Sequence, residues 1–133
     1  MVASDLTEAS THVLPYALGM LGPGGLLHLV HVVPPDLSDE ELRVVRNRLR
    51  ALVPPDLRAD GKHVRLHVLR EDAAPGEVLV HLSERLGAEV VCLASSTRSG
   101  LSRVMRGSTA AYLLAHSRQP VLLLGGGAEA RRA

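Results

Sequence analysis

The chain has no phenylalanine and no tryptophan, only two tyrosines, Tyr16 and Tyr112, and a single cysteine, Cys92. Without aromatic side chains to stack on bases, a platform for single-stranded nucleic acid is not expected. One thiol cannot build a disulfide framework, and Cys92 sits inside the apolar run 90–93, so it reads as a small core residue rather than a nucleophile. Lysine is almost absent as well. Lys62 stands alone, which excludes a phosphate loop of the Gly-x4-Gly-Lys form, and no Gly-x-Ser-x-Gly hydrolase elbow occurs. No apolar run approaches the ~18 residues of a spanning helix, and no basic-then-apolar leader opens the sequence, so the expected compartment is the cytoplasm, with no membrane partner. Net charge is only +1, and Arg43, Arg46, Arg48 and Arg50 share their segment with acidic residues. That pattern suits a solvated helix face better than a nucleic-acid surface.

What is present is ordinary globular material: 133 residues, 46% apolar and 22% charged, enough for one domain with a real core. The first strand is abrupt, Met1 to Ser4 before Asp5. From Thr7 the apolar positions Ala9, Val13, Tyr16, Ala17 and Met20 follow a helical spacing, with Thr7 or Asp5 as capping candidate and Pro15 as a source of kinking. After Gly22-Pro-Gly-Gly25, residues 26–33 read as a strand buried on both faces. Ser38-Asp-Glu-Glu41 is a capping box ahead of the stripe Leu42, Val45, Leu49, Leu52, which stops at Pro54-Pro55. A polar link at 56–61 leads to residues 62–70, where Val64, Leu66 and Val68 alternate with His63, Arg65 and His67, the mark of an edge strand. Pro75 opens the next helix and Gly87 stops it. The apolar run 90–94, a loop of hydroxyls and arginines, and a helical pattern opening at Gly107-Ser108 follow. Val121 to Leu124 form the last strand, and 125–133 read as a flexible tail after a domain at 1–124.

Five strands alternating with four helical patterns predict an α/β fold, a doubly wound parallel sheet with helices on both faces. Ligands in such sheets bind beyond the carboxyl ends of the strands, where strand order reverses. If the first and fourth strands are neighbours, Asp5 and the 95–108 loop share a cleft. There the first turn of a helix offers unpartnered N–H groups and a positive dipole end to an anion, Gly107 admits close approach, and Ser108 caps the helix or meets the ligand. Asp5 has an alternative role as a helix cap. The histidines predict no metal site. His63 and His67 are some 13 Å apart along a strand, and His28 and His31 fall on opposite faces, with His31 expected as a hydrogen-bonded core or cleft residue. The wholly apolar last strand, Val121, Leu122, Leu123 and Leu124, would be a bare sheet edge, so a homodimer pairing the two copies of this strand is expected.

Residues 2–10, 27–33 and 88–94, and Gly107-Ser108 followed by Pro120 to Leu124, resemble the universal stress protein family in order and spacing across essentially the whole chain. The resemblance implies a Rossmann-like fold of the adenine nucleotide alpha hydrolase type, strand order 3-2-1-4-5, a dimer through the last strand, and ATP or ADP at the switch point, any Mg²⁺ being held mainly by phosphate oxygens. It carries residue by residue: Asp5 to adenine and ribose, Val32 against the base, Ala3 beside adenine, and Gly107, Ser108 and Thr109 at the phosphates. The family's Gly-x2-Gly-x9-Gly-Ser/Thr motif places its two earlier glycines at Ala94 and Thr97, both substituted here. Ser95 and Thr97 supply hydroxyls and Arg98 a positive charge in compensation.

The expected function is a stress-response module that binds an adenine nucleotide as a regulatory ligand. No residue is assigned as nucleophile or general base, so the expectation is a non-enzyme, at most a slow ATP hydrolase. Ala94 and Thr97 motivate the alternative, a nucleotide-independent dimer acting through contacts with another protein.

Overall fold

A computed structural model describes residues 1–95 and 108–125. In chain order these form β1 (Val2–Ala3), α1 (Glu8–Thr11), α2 (Val13–Met20), β2 (Leu26–Val33), α3 (Asp39–Ala51), a 3₁₀ turn (Leu57–Asp60), β3 (His63–Arg70), α4 (Pro75–Arg85), β4 (Val91–Ser95), α5 (Ser108–His116) and β5 (Val121–Gly125). The strands make one parallel sheet in the order β3-β2-β1-β4-β5. Thr97, Arg98, Gly107 and the tail beyond Gly125 lie outside the described residues.

The alternation of side chains along each strand divides the core in two. On one face Val13, Leu14, Ala17 and Leu18 of α2 and Leu49 of α3 close over Val2, Leu27, Leu29 and Cys92. On the other, Leu79, Val80 and Leu82 of α4 and Ala110 and Leu113 of α5 cover Val30, Val91 and Leu93. Cys92 is buried as expected, and the central strands are apolar on both faces because both are covered.

Local signals act where the sequence places them. Ser38 Oγ accepts from Glu41 N–H at 3.1 Å while the Glu41 carboxylate accepts from Ser38 N–H at 2.9 Å, the reciprocal pair of a capping box. Pro75 is the first residue of α4, and Gly87 leaves that helix with φ +63°.

Three features differ from the sequence reading. The helix expected from Thr7 is two segments, broken at His12. A proline ring four residues after Thr11 would collide with that residue's carbonyl in a continuous helix, so the chain restarts and Pro15 falls in the first turn of α2. The link at 56–61 is not merely polar, since its 3₁₀ turn buries Leu57 against the first core cluster and ends on Gly61 at φ +70°. The last strand continues one residue past Leu124, where Ser95 pairs with Gly125.

Candidate functional site

β1 lies between β2 and β4, with Val2 in register with both Leu29 and Cys92. The crossovers that follow β1 and β4 run to opposite sides of the sheet, so the carboxyl ends of these two strands form the switch point. Only two residues of β1 are needed to bring Asp5 there, because Ser4 N–H still joins the ladder through the Val30 carbonyl at 2.9 Å.

The turn after β1 is held by its own side chains. Ser4 Oγ accepts from Leu6 N–H at 3.1 Å and shares a buried hydrogen bond with Ser10 Oγ at 3.0 Å. Asp5 Oδ1 accepts from Thr7 N–H at 3.0 Å and from the Thr7 hydroxyl at 2.5 Å, and Thr7 Oγ1 in turn accepts from Ser10 N–H at 3.3 Å to cap α1. Between them Leu6 is forced to φ +64°, a left-handed conformation that costs a non-glycine residue roughly 1–2 kcal/mol. From β2, the His31 Nδ1–H donates to the Ser4 carbonyl at 2.6 Å, pinning the start of the turn to the neighbouring strand. Partial burial pushes the Asp5 carboxyl up, but hydrogen bonds from Thr7, then Ser10 and its own backbone, outweigh it and hold the group below the ordinary carboxylate range. The result is an exposed carboxylate, ionised at neutral pH and fixed in direction at the end of β1.

The expected site residues divide between the two faces of the sheet. Ala3 and Val32 share the α4–α5 face and pack on its cluster, Val32 one pleat beyond the Val30 that pairs with Ala3. Ala94 packs on the opposite cluster, so the methyl group that replaces a glycine hydrogen points into the α2–α3 layer. Ser95 ends β4, and Ser108 and Thr109 open α5, whose position is set by burial of Ala110 and Leu113. Asp5 just beyond β1, Val32 near the end of β2 and Ser95 at the end of β4 thus lie toward the carboxyl side of three adjacent strands.

Thr7, named in the sequence as a cap, does double duty by orienting Asp5. The sequence holds no signal for the left-handed Leu6 or for the Ser4–Ser10 bond. A second histidine contact was also hidden in it: His28 Nδ1 lies 2.9 Å from His67 Nε2, on neighbouring strands. Register brings these rings together, since His28 pairs with Arg65 and Val30 with His67.

The profile of the universal stress protein family matches residues 1–125. No curated protein sequence gives a significant match. Among solved structures, the Archaeoglobus fulgidus universal stress protein in complex with dAMP superposes with a TM-score of 0.69 at 19% identity, covering 92% of this chain and 93% of that one. An Arabidopsis thaliana universal stress protein family protein with AMP bound gives 0.63 at 16% identity, covering 96% and 92%. A universal stress protein in complex with cAMP gives 0.65 at 18% identity, covering 94% of each chain. These likenesses agree with the parallel sheet and its strand order, and with a profile that spans nearly the whole sequence: the chain belongs to the universal stress protein family.

Proposed function

We propose that the protein binds an adenine nucleotide, ATP or ADP, at the carboxyl ends of β1 and β4, and that the nucleotide acts as a regulatory ligand in a stress response. One observation carries this reading: the exposed Asp5 carboxylate just beyond β1, kept in its ionised form by hydrogen bonds from Thr7. In that position it accepts hydrogen bonds from the ribose hydroxyls or the adenine edge, while Ala3 and Val32 offer an apolar wall to the base. The family resemblance assigns Ser95, Thr97, Arg98, Gly107, Ser108 and Thr109 to the phosphate end, with Thr97, Arg98 and Gly107 outside the described residues, and the first turn of α5 would add its N–H groups. Any Mg²⁺ comes with the phosphates. The solved relatives bound to cAMP, dAMP and AMP support an adenine-directed site. No residue is placed as nucleophile or general base, so the reading is a binding switch rather than a hydrolase.

Titration calorimetry of nucleotide-stripped protein with Mg·ATP tests it. Micromolar or tighter binding, lost in Asp5→Ala and in Gly107→Arg, is the expected result. Absence of heat would instead favour the nucleotide-independent reading, which rests on Ala94 and Thr97 standing where the motif has glycine.

Assembly and location belong to the same proposal. β5 pairs with β4 on one side, and Val121 to Leu124 are only half-buried. A second copy of β5 across a two-fold axis would cover this edge. Sedimentation at micromolar concentration is expected to show a dimer, and a monomer would refute it. None of the described helices is long and apolar enough to cross a membrane, and the proposed place of action is the cytoplasm.

A further inference from the structure

β3 is an edge strand, and its outer side carries an open ladder. Its eight residues, His63–Arg70, pair one for one with Leu26 to Val33 of β2, with no bulge and no proline. His63 N–H donates to the Gly25 carbonyl and Glu71 N–H to the Val33 carbonyl, each at 3.0 Å, so odd-numbered residues of β3 turn their backbone toward β2. The N–H and C=O groups of Val64, Leu66 and Val68 therefore point away from the sheet, and among the described residues no strand pairs with them. A long, regular edge of this kind is a template for one more strand.

The side chains around the edge decide what that strand can be. Val64, Leu66 and Val68 are half-buried against the α2–α3 cluster and offer apolar neighbours on one face. On the other face His63 and Arg65 are exposed and His67 is half-buried. Helix α3 adds a second basic row. Asp39 accepts from Arg70 at the end of β3, and Arg43, Arg46 and Arg50 follow Asp39 at i+4, i+7 and i+11, which places them along the same flank of the helix, on the β3 side. Arg43 pairs with Glu40 at 3.6 Å, but among the described residues neither Arg46 nor Arg65 forms an ion pair. A second copy of β3 paired here across a two-fold axis would set the arginine row of one α3 against its own copy, a repulsive contact. A segment bearing carboxylates would neutralise both rows.

We propose that the outer edge of β3 docks an extended acidic peptide segment of a partner protein, which adds to the sheet as a further strand. Its backbone bonds to Val64, Leu66 and Val68, and its side chains alternate, with β-branched apolar residues beside those three and carboxylates beside Arg65. The span from Val64 to Arg70 sets its length at about seven residues. The arginine row of α3 steers it to the edge. This surface lies at the edge of the sheet away from β5 and stands independently of nucleotide binding.

Fluorescence anisotropy of the labelled peptide Glu-Val-Glu-Ile-Glu-Val-Glu, titrated with the full chain, tests the docking, with Lys-Val-Lys-Ile-Lys-Val-Lys as control. Saturable binding of the acidic peptide alone is expected, weakened about fivefold or more in Arg65→Glu and reduced in Arg46→Glu. Hydrogen exchange in the saturated complex should slow by about tenfold or more at the amides of Leu66 and Val68, because these are the groups the peptide pairs. No binding, equal binding of both peptides, or full affinity in Arg65→Glu would overturn the proposal. So would binding without protection of Leu66 and Val68, which would seat the peptide elsewhere, or its displacement by an equimolar oligothymidylate of equal charge, which would make the surface a nucleic-acid site. Protection of these amides that rises with protein concentration in the absence of peptide would also overturn it, by assigning the edge to a second copy.

Discussion

Gly76 offers a test of how the helices that frame the site are held. A Cβ at this buried position in the first turn of α4 would lie 2.7 Å from Tyr112 Cβ, 3.1 Å from Cγ and 3.3 Å from Cδ1. Carbon atoms pack at about 3.5–4.0 Å, and Tyr112 Cβ is fixed to the α5 backbone, so no rotamer change relieves the closest approach. Overpacking of this kind costs about 1–3 kcal/mol, against at most ~1 kcal/mol gained by replacing glycine with alanine in a helix. Gly76→Ala should therefore destabilise by about 1 kcal/mol, a fall of roughly 3–5 °C in Tm for a chain of this size. Urea titrations of Gly76→Ala in the parent, Tyr112→Ala and Tyr112→Gly backgrounds read the coupling. Tyr112→Gly removes the offending atom and should abolish the penalty, while Tyr112→Ala keeps it and should rescue only in part. If Gly76→Ala instead stabilises the protein by about 1 kcal/mol, the close contact that sets α5 against α4 is not present in solution.

Other substitutions probe the turn, the histidine pair and the cap. Leu6→Gly trades relief of the left-handed backbone, about 1–2 kcal/mol, against loss of a half-buried side chain of similar worth and should be near neutral, whereas Leu6→Val should cost at least ~1 kcal/mol more by chemical denaturation. Burial, followed by His67 and Arg65, pushes His28 below its ordinary pKa, and burial with Arg65 does the same to His67. The unfolded chain then binds more protons as pH falls through about 6.5, so stability should be full above that value and decline below it. His67→Gln should flatten urea midpoints measured between pH 7.5 and 5; an unchanged slope would contradict the burial of this pair. Ser38→Ala removes one half of the capping box and should cost about 1 kcal/mol in thermal melts.

Much of this architecture was legible because each element carries its own signal. The capping box, Pro75, Gly87 and the alternation at 64–68 are local and strong, and they mark α3, both ends of α4 and the edge strand. Pro15 marked a disturbance, but the break at His12 depends on where the ring meets the preceding turn, which periodicity does not reveal. Leu57 was hidden because one apolar residue among polar neighbours has no period; only the packed core gives it a place. The same limit applies at the site. Asp5 and Val32 could be placed at strand ends from the sequence, whereas the Thr7 clamp, the left-handed Leu6 and the His31 bond to Ser4 are consequences of a turn meeting its neighbours. His28 and His67 are distant in sequence, and only strand register brings them together.

The central claim is that an adenine nucleotide occupies the carboxyl ends of β1 and β4. Backbone NMR of the nucleotide-stripped protein during titration with Mg·ATP tests it most directly, because it reports position as well as affinity. The account predicts saturable shifts at Ala3 to Asp5, Val32, Ala94, Ser95, Ser108 and Thr109, with the amino-end residues Leu26 and Val90 unmoved. Shifts centred on the amino end, or none at millimolar nucleotide, would contradict it.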